Sequence, residues 1–361
     1  MKILVAMSGG IDSSTVAHLL KNNGHEVIGA MMQLWEDPLE DCTNIGKTKC
    51  CTPEHFEKAK IVCKSIGAPF HILDMEEEFL EEVIKPFLES YKKGKTPNPC
   101  ITCNKLIKFG AFLKQAKALG CDAIATGHYA RIFKDDLNVY HLLKSKDESK
   151  DQSYFLYNLT QEILKYVIFP LGDLQKKEVL NIAKELNIPI PETYKESQDI
   201  CFYSENEPTE FLKRYLKNVP EGNICTEDGE IVGKHMGLPY YTIGQRKRLG
   251  VGGLKIPLHV KRKDANTNTL YTAPTGADFE SELYVDQLNW IVGVPDNKSK
   301  LFASINSKGN TKECNMEIFS SLPKVTFKSP IRGIADDQSI VFYKDKEVLG
   351  GGIIVRPESI I

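Results

Sequence analysis

Short apolar runs alternate with helical patterns through the first third of this chain. The runs read KILVAM, HEVIGAMM, PFHIL and DAIATG, and each is continuous rather than alternating in polarity. Continuous apolar runs are typical of strands that are buried on both faces. Helical periodicity fills the stretches Ser13–Leu20 and Glu54–Ile66. The sequence therefore predicts an α/β domain built on a doubly wound parallel sheet, in which ligands lie beyond the carboxyl ends of the strands.

The composition and the apolar pattern of the sequence change after about residue 205. At 361 residues the chain is too long for one ordinary core and suits two or three domains. Residues 206–275 are rich in turns and charge, with a few short strand candidates. From about residue 280, segments such as SELYVDQLNWIVG predict antiparallel strands that close into a small barrel. We expect a catalytic domain over 1–205, a small central domain over 206–277 and a β-barrel over 278–361.

Charge and composition narrow the function classes. The formal net charge of −2 argues against a protein that coats nucleic acid indiscriminately, but local basic clusters can hold a specific RNA. Such clusters are Lys92-Lys93, Lys105 with Lys108, Arg246-Lys247-Arg248 and Lys261-Arg262-Lys263. The apolar run at the amino terminus is too short for a signal peptide, and no later stretch approaches about 18 apolar residues. We expect a cytoplasmic protein with no membrane partner, in which most of the ten cysteines are free, metal-bound or catalytic.

The first predicted strand is followed at once by the segment SGGIDSS, from Ser8 to Ser14. Its two glycines let backbone amides approach an anion, and the following helix adds its N-terminal dipole. No lysine follows the glycines, so this is not the GxxxxGK[ST] loop of kinase-like enzymes. The alternative is a turn into a helix with Asp12 or Ser13 as the N-cap. The position directly after the first strand favours a phosphate cradle.

A series of motifs resembles one known family. SGGIDSS is the signature of the ATP pyrophosphatases, or PP-loop enzymes, which adenylate an oxygen of a second substrate and release pyrophosphate. The motifs AMSGGIDSS, TPNPCITCNKLIKFGAF, ATGHYAR, KDQSYFLY, DICF, YTIGQRKRLGVGG and LGGGII follow the order found in the tRNA-specific 2-thiouridylases. This resemblance covers nearly all of the chain, strongly to about residue 255 and weakly from 280 to 335. It implies ATP-dependent 2-thiolation of the wobble uridine of tRNA.

The resemblance also implies roles for individual residues. ATP would be held by Ala6, Met7, Ser8, Gly9, Gly10, Ile11, Asp12, Ser13, Met32 and Gly127. Asp12 would act through magnesium, Cys103 would be the nucleophile, and Cys201 would receive a persulfide sulfur from a donor protein. The target base or the rest of the tRNA would be contacted by Asn98, Pro99, Cys100, His128, Lys150, Asp151, Gln152, Ser307, Lys308 and Gln338. From their charge, Lys105 and Lys108 are expected to neutralise tRNA phosphates.

Two departures from the family pattern matter. Many relatives have Asp where this chain has Cys100, so the role of a general base does not transfer to that position. The barrel segment that usually carries Arg-Tyr-Arg toward the tRNA reads INSKGN here. Ser307 and Lys308 are therefore weak tRNA contacts at best.

The chemistry explains why two thiols are needed. A uracil C2 carbonyl is a poor electrophile, so its oxygen must first be converted into a leaving group, which adenylation achieves. A persulfide on Cys201 then attacks C2 directly, or Cys103 attacks that persulfide and liberates sulfide; either route leaves a Cys103–Cys201 disulfide to be reduced. Two thiols that are distant in sequence must therefore meet in space.

Other uses of the C-x-x-C pair remain open. Structural zinc would need a second half-site, and the adjacent Cys50 and Cys51 are poorly placed to supply it. A thioredoxin-like redox pair would need a surrounding pattern that is absent from this sequence. An iron–sulfur cluster on Cys100, Cys103 and Cys201 is the strongest rival, with one iron left open for sulfide. We favour substrate chemistry for Cys103 and a pocket-shaping role for Cys100.

The remaining candidates have simpler interpretations. Core positions are expected for Cys63 and Cys121, and Cys225 and Cys314 have no evident partner. A loop carries Cys42, Cys50 and Cys51, near the entrance of the site or at a second metal site. The aromatic residues Tyr154, Phe155 and Tyr157 are expected in the core or stacked on bases. Other functions kept open are a cysteine-rich RNA-binding or metal-storage module, and an adenylating enzyme for a small molecule or another tRNA base.

Overall fold

The structure is a computed structural model that describes residues 1–39, 52–188, 200–205, 207–252, 256–277, 279–296, 300–317 and 322–356. The loop cysteines Cys42, Cys50 and Cys51 lie outside the described residues, and with them the prediction made for that loop. Among the described residues, no helix is long and apolar enough to cross a membrane.

Seventeen strands and nine α-helices are described. The strands are β1 (Lys2–Ala6), β2 (Glu26–Gln33), β3 (Phe70–Asp74), β4 (Ala123–Ala125), β5 (Ala130–Lys134), β6 (Tyr140–Lys144), β7 (Val167–Ile168), β8 (Gly222–Thr226), β9 (Ile231–His235), β10 (Leu258–Asp264), β11 (Thr269–Pro274), β12 (Phe279–Trp290), β13 (Leu301–Ser304), β14 (Lys312–Glu317), β15 (Lys324–Arg332), β16 (Ser339–Lys344) and β17 (Glu347–Val355). The helices are α1 (Ile11–Asn22), α2 (Pro53–Ser65), α3 (Glu76–Phe79), α4 (Lys85–Lys92), α5 (Pro99–Thr102), α6 (Phe112–Ala118), α7 (Gln161–Leu164), α8 (Lys176–Glu185) and α9 (Thr209–Tyr215). Segments of π-helix join α3 to α4 (Leu80–Ile84) and α5 to α6 (Cys103–Ala111), and 3₁₀ turns span Ser153–Leu156 and Leu238–Tyr240.

The first sheet is parallel, with the strand order β3-β2-β1-β4-β7. Its central strands are buried on both faces. On one face, Leu4 packs in the core that includes Phe109 from the helical stretch between α5 and α6. On the other, Ile3 and Val5 pack with Val16 of α1. The doubly wound parallel sheet predicted from the apolar runs is therefore confirmed.

One of the four apolar runs does not behave as predicted. The run PFHIL forms β3, which lies at the edge of the sheet, and Ile72 within it is 54% exposed. An edge strand has a neighbour on one side only, so helices cover it less completely than the central strands. A short continuous apolar run does not reveal where in the sheet its strand will lie.

The middle of the chain forms a four-stranded sheet with the order β10-β11-β8-β9. The β8–β11 pair is parallel, and the other two pairs are antiparallel. Its core contains Ile224, Tyr241, Leu249, Val260 and Leu270. The few short strands expected in this turn-rich segment are thus present.

The last strands close into a six-stranded antiparallel barrel. Their order is β12-β15-β14-β13-β16-β17, and β17 pairs back onto β12. This confirms the predicted barrel. The sheet also includes the β5–β6 hairpin from the first part of the chain, because β6 pairs with β17 through Leu142 and Val348.

The sequence analysis overlooked this hairpin, although its turn carries a signal. The side chain of Asp135 accepts hydrogen bonds from the amides of Leu137 (2.9 Å) and Val139 (2.8 Å), and Asn138 has φ +65°. Asp and Asn at such positions are typical of tight turns. The flanking strands are only five residues long, which is why the pattern was easily lost in the surrounding polar sequence.

Aromatic residues dock the first domain onto the barrel. The hydroxyl of Tyr154 donates to the backbone oxygen of Ser339 (2.7 Å), and that of Tyr157 lies 3.1 Å from the Ser339 hydroxyl. Both tyrosines are buried, which confirms the core interpretation rather than base stacking. The glycines of the LGGGII motif make the contact close, since a Cβ at Gly351 would lie 2.7 Å from the Tyr157 ring.

We predict that Gly351→Ala destabilises the protein, because the added methyl group would meet the Tyr157 ring at 2.7 Å and the backbone oxygen of Ile340 at 2.5 Å. Overpacking of this kind typically costs about 1–3 kcal/mol. Thermal unfolding followed by circular dichroism would measure the shift. The matched control is Gly252→Ala, since no atom lies within 4 Å of a Cβ at that position. Equal midpoints for the two variants would contradict the role assigned to Gly351.

Candidate active site

The loop after β1 presents backbone amides at the edge of the sheet. Gly9 has φ +69°, and a Cβ there would lie 2.5 Å from the backbone oxygen of His55 in α2. The hydroxyl of Ser13 donates to the Gly10 carbonyl (3.1 Å) and accepts from the Ser8 amide (3.1 Å). Helix α1 begins at Ile11, and its N-cap Gly10 has no side chain to bond the first amides. These amides are therefore oriented to receive an anion.

This geometry decides between the two interpretations of the segment. Asp12 and Ser13 lie inside α1, so the alternative that made one of them the N-cap is wrong. Met7 is buried and donates its amide to Ala30 of β2 at 2.8 Å, which fixes the start of the loop. Met32 is a buried residue of the same neighbouring strand.

The end of β4 meets this loop at Gly127. A Cβ at Gly127 would lie 3.1 Å from the Cβ of Asp12 and 3.3 Å from the amide nitrogen of Ser13. Because β1 and β4 are neighbours whose connections run to opposite sides of the sheet, a crevice opens between their carboxyl ends. Glycine at 127 leaves that crevice open at the start of α1.

The carboxylate of Asp12 is engaged within the protein. The ammonium of Lys176 donates to both of its oxygens, at 2.7 and 2.9 Å, and the hydroxyl of Tyr129 donates at 2.9 Å. Lys176 is the first residue of α8, and its side chain is only 10% exposed. Sequence reasoning missed Lys176, because 164 residues separate it from Asp12. The loop that lacks a lysine in its own sequence thus receives one from another helix.

The residues of KDQSYFLY that were predicted as tRNA contacts make hydrogen bonds within the protein, next to Tyr129. Gln152 accepts the amide of Tyr129 (3.0 Å) through its side chain and donates its own amide to the Tyr129 carbonyl (2.9 Å). Asp151 accepts from the Ser145 amide (2.9 Å) and the Ser153 hydroxyl (2.7 Å). Lys150 is half-buried beside them. Gln152 therefore holds Tyr129, whose hydroxyl reaches Asp12, and Asp151 holds the neighbouring residues Ser145 and Ser153.

A thiol pocket lies next to the crevice. Pro99 begins α5, which continues through the π-helical turn that starts at Cys103. Cys103 is 5% exposed, and Cys201 packs half-buried against the same core cluster. Cys100 is also half-buried, and none of the three forms a disulfide. The structure thus brings together the thiols that the chemistry required to meet.

Burial dominates the electrostatics of these thiols. It raises the pKa of Cys103 to about 12 and that of Cys100 to about 11. The charge of Lys108 opposes this shift in both thiols, whereas a charge on Cys201 would raise both pKa values further. The three thiols and the Lys108 ammonium are therefore within electrostatic reach of one another. At neutral pH Cys100 and Cys103 are therefore protonated.

His128 links the thiol pocket to the crevice. It follows Gly127, and its half-buried ring lies 5.6 Å from the ring of Phe109 and 5.9 Å from that of Phe169. Burial, and then the charge of Lys108, hold the pKa of His128 well below its ordinary value. The imidazole is therefore neutral at physiological pH and lies 2.7 Å from the Thr126 hydroxyl through Nδ1.

The other predicted tRNA residues are distributed more widely. Lys105 is exposed on the π-helical turn, whereas Lys108 is half-buried and faces the thiols. Ser307 and Lys308 are exposed in the turn between β13 and β14. Gln338 donates its amide to the Thr96 carbonyl at 2.5 Å, just ahead of Asn98.

The basic cluster at 261–263 is not the free surface that its charge suggested. Lys261 pairs with Glu227 (2.6 Å), and the guanidinium of Arg262 lies 3.3 Å from the centroid of the Tyr271 ring. The ammonium of Lys263 bonds the backbone oxygen of Tyr241 at 2.9 Å.

Among the described residues, no three or more His, Cys, Asp and Glu side chains form a group that is placed to hold a metal ion. This includes the thiols of Cys100, Cys103 and Cys201. A lone carboxylate such as Asp12 is compatible with magnesium, which usually takes one or two carboxylates together with substrate phosphates.

Family models match along the whole chain. A tRNA methyl transferase HUP domain matches residues 1–205, a tRNA methyl transferase PRC-barrel domain matches 209–274, and an aminomethyltransferase beta-barrel domain matches 280–354. The tRNA-specific 2-thiouridylase MnmA of Clostridium beijerinckii is 41% identical over 100% of this chain and 99% of its own length. MnmA of Francisella philomiragia is 43% identical over 98% of this chain and 99% of its own length. This chain belongs to the tRNA-specific 2-thiouridylase family.

Membership of the 2-thiouridylase family agrees with the resemblance found in the motifs. It also gives a context for the two halves of the site, a phosphate-binding crevice and a thiol pocket. The motifs did not reveal Lys176, which is 164 residues from Asp12, nor that Lys108 faces the thiols, because the direction of its side chain depends on how the π-helical segment packs.

We predict that the ammonium of Lys108 governs the reactivity of Cys103. Lys108→Met should slow alkylation of Cys103 by iodoacetamide, since losing the positive charge raises the thiol pKa, and each unit lowers the thiolate fraction about tenfold. Tandem mass spectrometry of the peptide that carries Cys100 and Cys103 would measure the alkylation rate of Cys103 across a pH series. Lys105→Met is the control, as that side chain is exposed on the same turn. Equal slowing in both variants would refute the assignment.

Proposed function

We propose that this chain is an ATP-dependent tRNA-uridine 2-sulfurtransferase that acts on the wobble uridine in the cytoplasm. The observation that carries the proposal is that the charge of Lys108 acts on both Cys103 and His128, and that His128 follows Gly127, where a Cβ would lie 3.1 Å from the Cβ of Asp12. This supports a thiol pocket beside a phosphate cradle, the arrangement that oxygen-to-sulfur exchange on one base would need. The wobble base lies in an anticodon loop, where it is readily splayed into a pocket.

The first step activates the base. The C2 oxygen of the uracil attacks the α-phosphorus of ATP, pyrophosphate leaves, and the oxygen carries AMP. The amides of Gly10, Ile11 and their neighbours would bind phosphate oxygens without reorganising. Magnesium, when bound at Asp12, would add further neutralisation of phosphate charge. The ammonium of Lys176 would then be released from Asp12 to a phosphate oxygen.

The second step delivers sulfur. A donor protein transfers a sulfur atom to Cys201, giving a persulfide. The terminal sulfur attacks C2 and expels AMP, after which the thiolate of Cys103 attacks the Cys201 sulfur and releases 2-thiouridine; alternatively, Cys103 first liberates sulfide, which attacks C2. Both routes end in a Cys103–Cys201 disulfide, and an external thiol reductant restores the two thiols.

Burial protects the thiols until they are needed. A protonated Cys103 is a poor nucleophile, so oxidation and alkylation are slowed while the site is closed. Lys108 is the cation placed to favour the thiolate when the proton is lost. Cys100, together with Asn98 and Pro99, would line the pocket that receives the target base.

We predict that activation and transfer can be separated by two cysteine variants. Cys103→Ser and Cys201→Ser should both fail to restore 2-thiouridine to tRNA from cells that lack this chain, but should still release pyrophosphate and form adenylated tRNA. With a labelled persulfide donor, the Cys103 variant should carry label and the Cys201 variant should not. Nucleoside mass spectrometry and autoradiography give the readouts.

Cys100→Ser provides the control for the iron–sulfur alternative. It should retain part of its activity, and iron-free wild-type protein should transfer sulfur. If activity requires added iron and sulfide, and Cys100→Ser is as inactive as Cys103→Ser, then a cluster route replaces the persulfide route. If 2-thiouridine persists in the deletion strain and another tRNA base changes, the substrate assignment is wrong.

We predict that Lys176 serves adenylation alone. Lys176→Met should lower ATP-dependent pyrophosphate release by about 10²- to 10³-fold, as is typical when one preorganised electrostatic contact is removed. Persulfide loading of Cys201 should be unchanged, because the ammonium of Lys176 is bound to the Asp12 carboxylate in the crevice. Lys177→Met is the control, since Lys177 is exposed on the same helix. Normal pyrophosphate release by the Lys176 variant would mean that its ion pair with Asp12 is only structural.

A further inference from the structure

Two parts of the chain converge just ahead of the thiol pocket. Thr96 is 7% exposed, its amide donates to the backbone oxygen of Asp336 (3.1 Å), and its carbonyl accepts the side-chain amide of Gln338 (2.5 Å). Both partners lie in the barrel, between β15 and β16. The residue between them, Asp337, accepts the Ser90 hydroxyl at 2.5 Å. Three consecutive barrel residues thus hold the stretch that leads into α5.

A lysine of the central four-stranded sheet contacts the residue just before Thr96. The ammonium of Lys263 in β10 donates to the carbonyls of Lys95 (3.4 Å) and Tyr241 (2.9 Å) and lies 5.9 Å from the Tyr91 ring centroid. Burial lowers the pKa of Lys263 to about 7, and the charge of Asp336 opposes that shift. Lysine is seldom placed in such surroundings, because removing its charge from water is costly.

The chain between these contacts and the thiols is short and stiff. Only Pro97 and Asn98 separate Thr96 from Pro99, which begins the helix that carries Cys100 and Cys103. Proline fixes φ near −65°, so two prolines in three residues leave few ways for the segment to bend. A displacement at Thr96 is therefore passed on to the thiols.

We propose that Gln338 and Lys263 are positioning residues that fix the Lys95–Thr96 peptide and thereby the placement of Cys100 and Cys103. The barrel and the central domain then set the geometry of the thiol pocket. This proposal deepens the proposed function, on which it rests, by assigning the two prolines and the half-buried lysine a role in the sulfur-transfer step. It gives Gln338 a different role from the direct tRNA contact that the family resemblance implies.

The two roles of Gln338 predict different kinetics. We expect Gln338→Leu and Lys263→Met each to lower kcat for 2-thiolation by about 10- to 100-fold, the range for a misplacement of about 1 Å. The KM for tRNA should stay within about twofold of the wild-type value, because neither side chain binds RNA in this proposal. Gln338→Glu, which lacks the donor but keeps the size, should behave like Gln338→Leu.

A second readout does not depend on activity. Releasing Thr96 should expose the buried thiols, so iodoacetamide should modify Cys103 faster in the Gln338 and Lys263 variants than in wild-type protein. Lys263→Arg should partly restore the slow rate, since a guanidinium can also donate to the two carbonyls. Peptide mass spectrometry of the tRNA-free protein gives the rates.

Matched controls come from the same parts of the fold. Gln161→Leu removes another glutamine amide that joins the first domain to the barrel, through the carbonyls of Tyr140 (2.6 Å) and Ile291 (3.0 Å). Lys261→Met removes one charge from β10, two residues before Lys263. Neither control should change kcat or thiol reactivity, although both lower the unfolding midpoint if the lost contacts stabilise the fold.

The outcomes are distinguishable. A raised KM for tRNA in Gln338→Leu, with normal kcat and slow alkylation, would overturn the positioning role and support a tRNA contact. Equal effects from Gln161→Leu would also overturn it, by reducing the effect to general loss of domain packing. If wild-type protein does not thiolate tRNA, the proposed function fails, and the alkylation rates alone still decide whether Gln338 and Lys263 fix the thiol pocket.

Discussion

The site depends on the close approach of two parallel strand ends. Where β1 and β4 finish, Gly127 lies against Asp12 and Ser13, and a Cβ at Gly127 would lie 3.1–3.3 Å from their atoms, closer than an ordinary van der Waals contact. The crevice between neighbouring strands with divergent connections is a general property of doubly wound sheets. Here it determines which residues can meet. Tyr129 follows β4, and Lys176 enters from α8, so that both close on the same carboxylate.

The phosphate crevice and the thiol pocket each keep their ionisable groups without an unpaired charge. The Asp12 carboxylate is paired with the Lys176 ammonium, and burial keeps the Cys103 thiol protonated. An unpaired charge in either place would be costly, because the surroundings are poorly solvated. In the proposed mechanism, a phosphate chain would offer Lys176 an alternative partner, and a persulfide on Cys201 would offer Cys103 a target. The substrates would then provide the charges and bonds that replace those of the resting site.

The three parts of the chain are joined more intimately than their sequence order suggests. The β5–β6 hairpin extends the barrel sheet, and Tyr157 packs on Gly351. Lys263 and Gln338 hold the peptide before the thiols from two further directions. Large RNA substrates are bound by extended surfaces. Contacts of this kind would connect such surfaces on the barrel and the central sheet to the segment that carries the thiols. The barrel is thus part of the frame of the active site.

The sequence by itself determined the α/β class, the parallel sheet and the closing barrel. These follow from local periodicity and from residue types at short spacing, which the chain displays directly. It could not show that β3 lies at an edge, that Lys176 pairs with Asp12, or that Lys108 faces inward. Nor could it show that the half-buried Lys263, in an apparently solvated basic cluster, bonds backbone oxygens at a junction of three parts of the chain. Those features were decided by tertiary structure, because burial and charge pairing depend on which distant elements pack together, and no short segment contains that information.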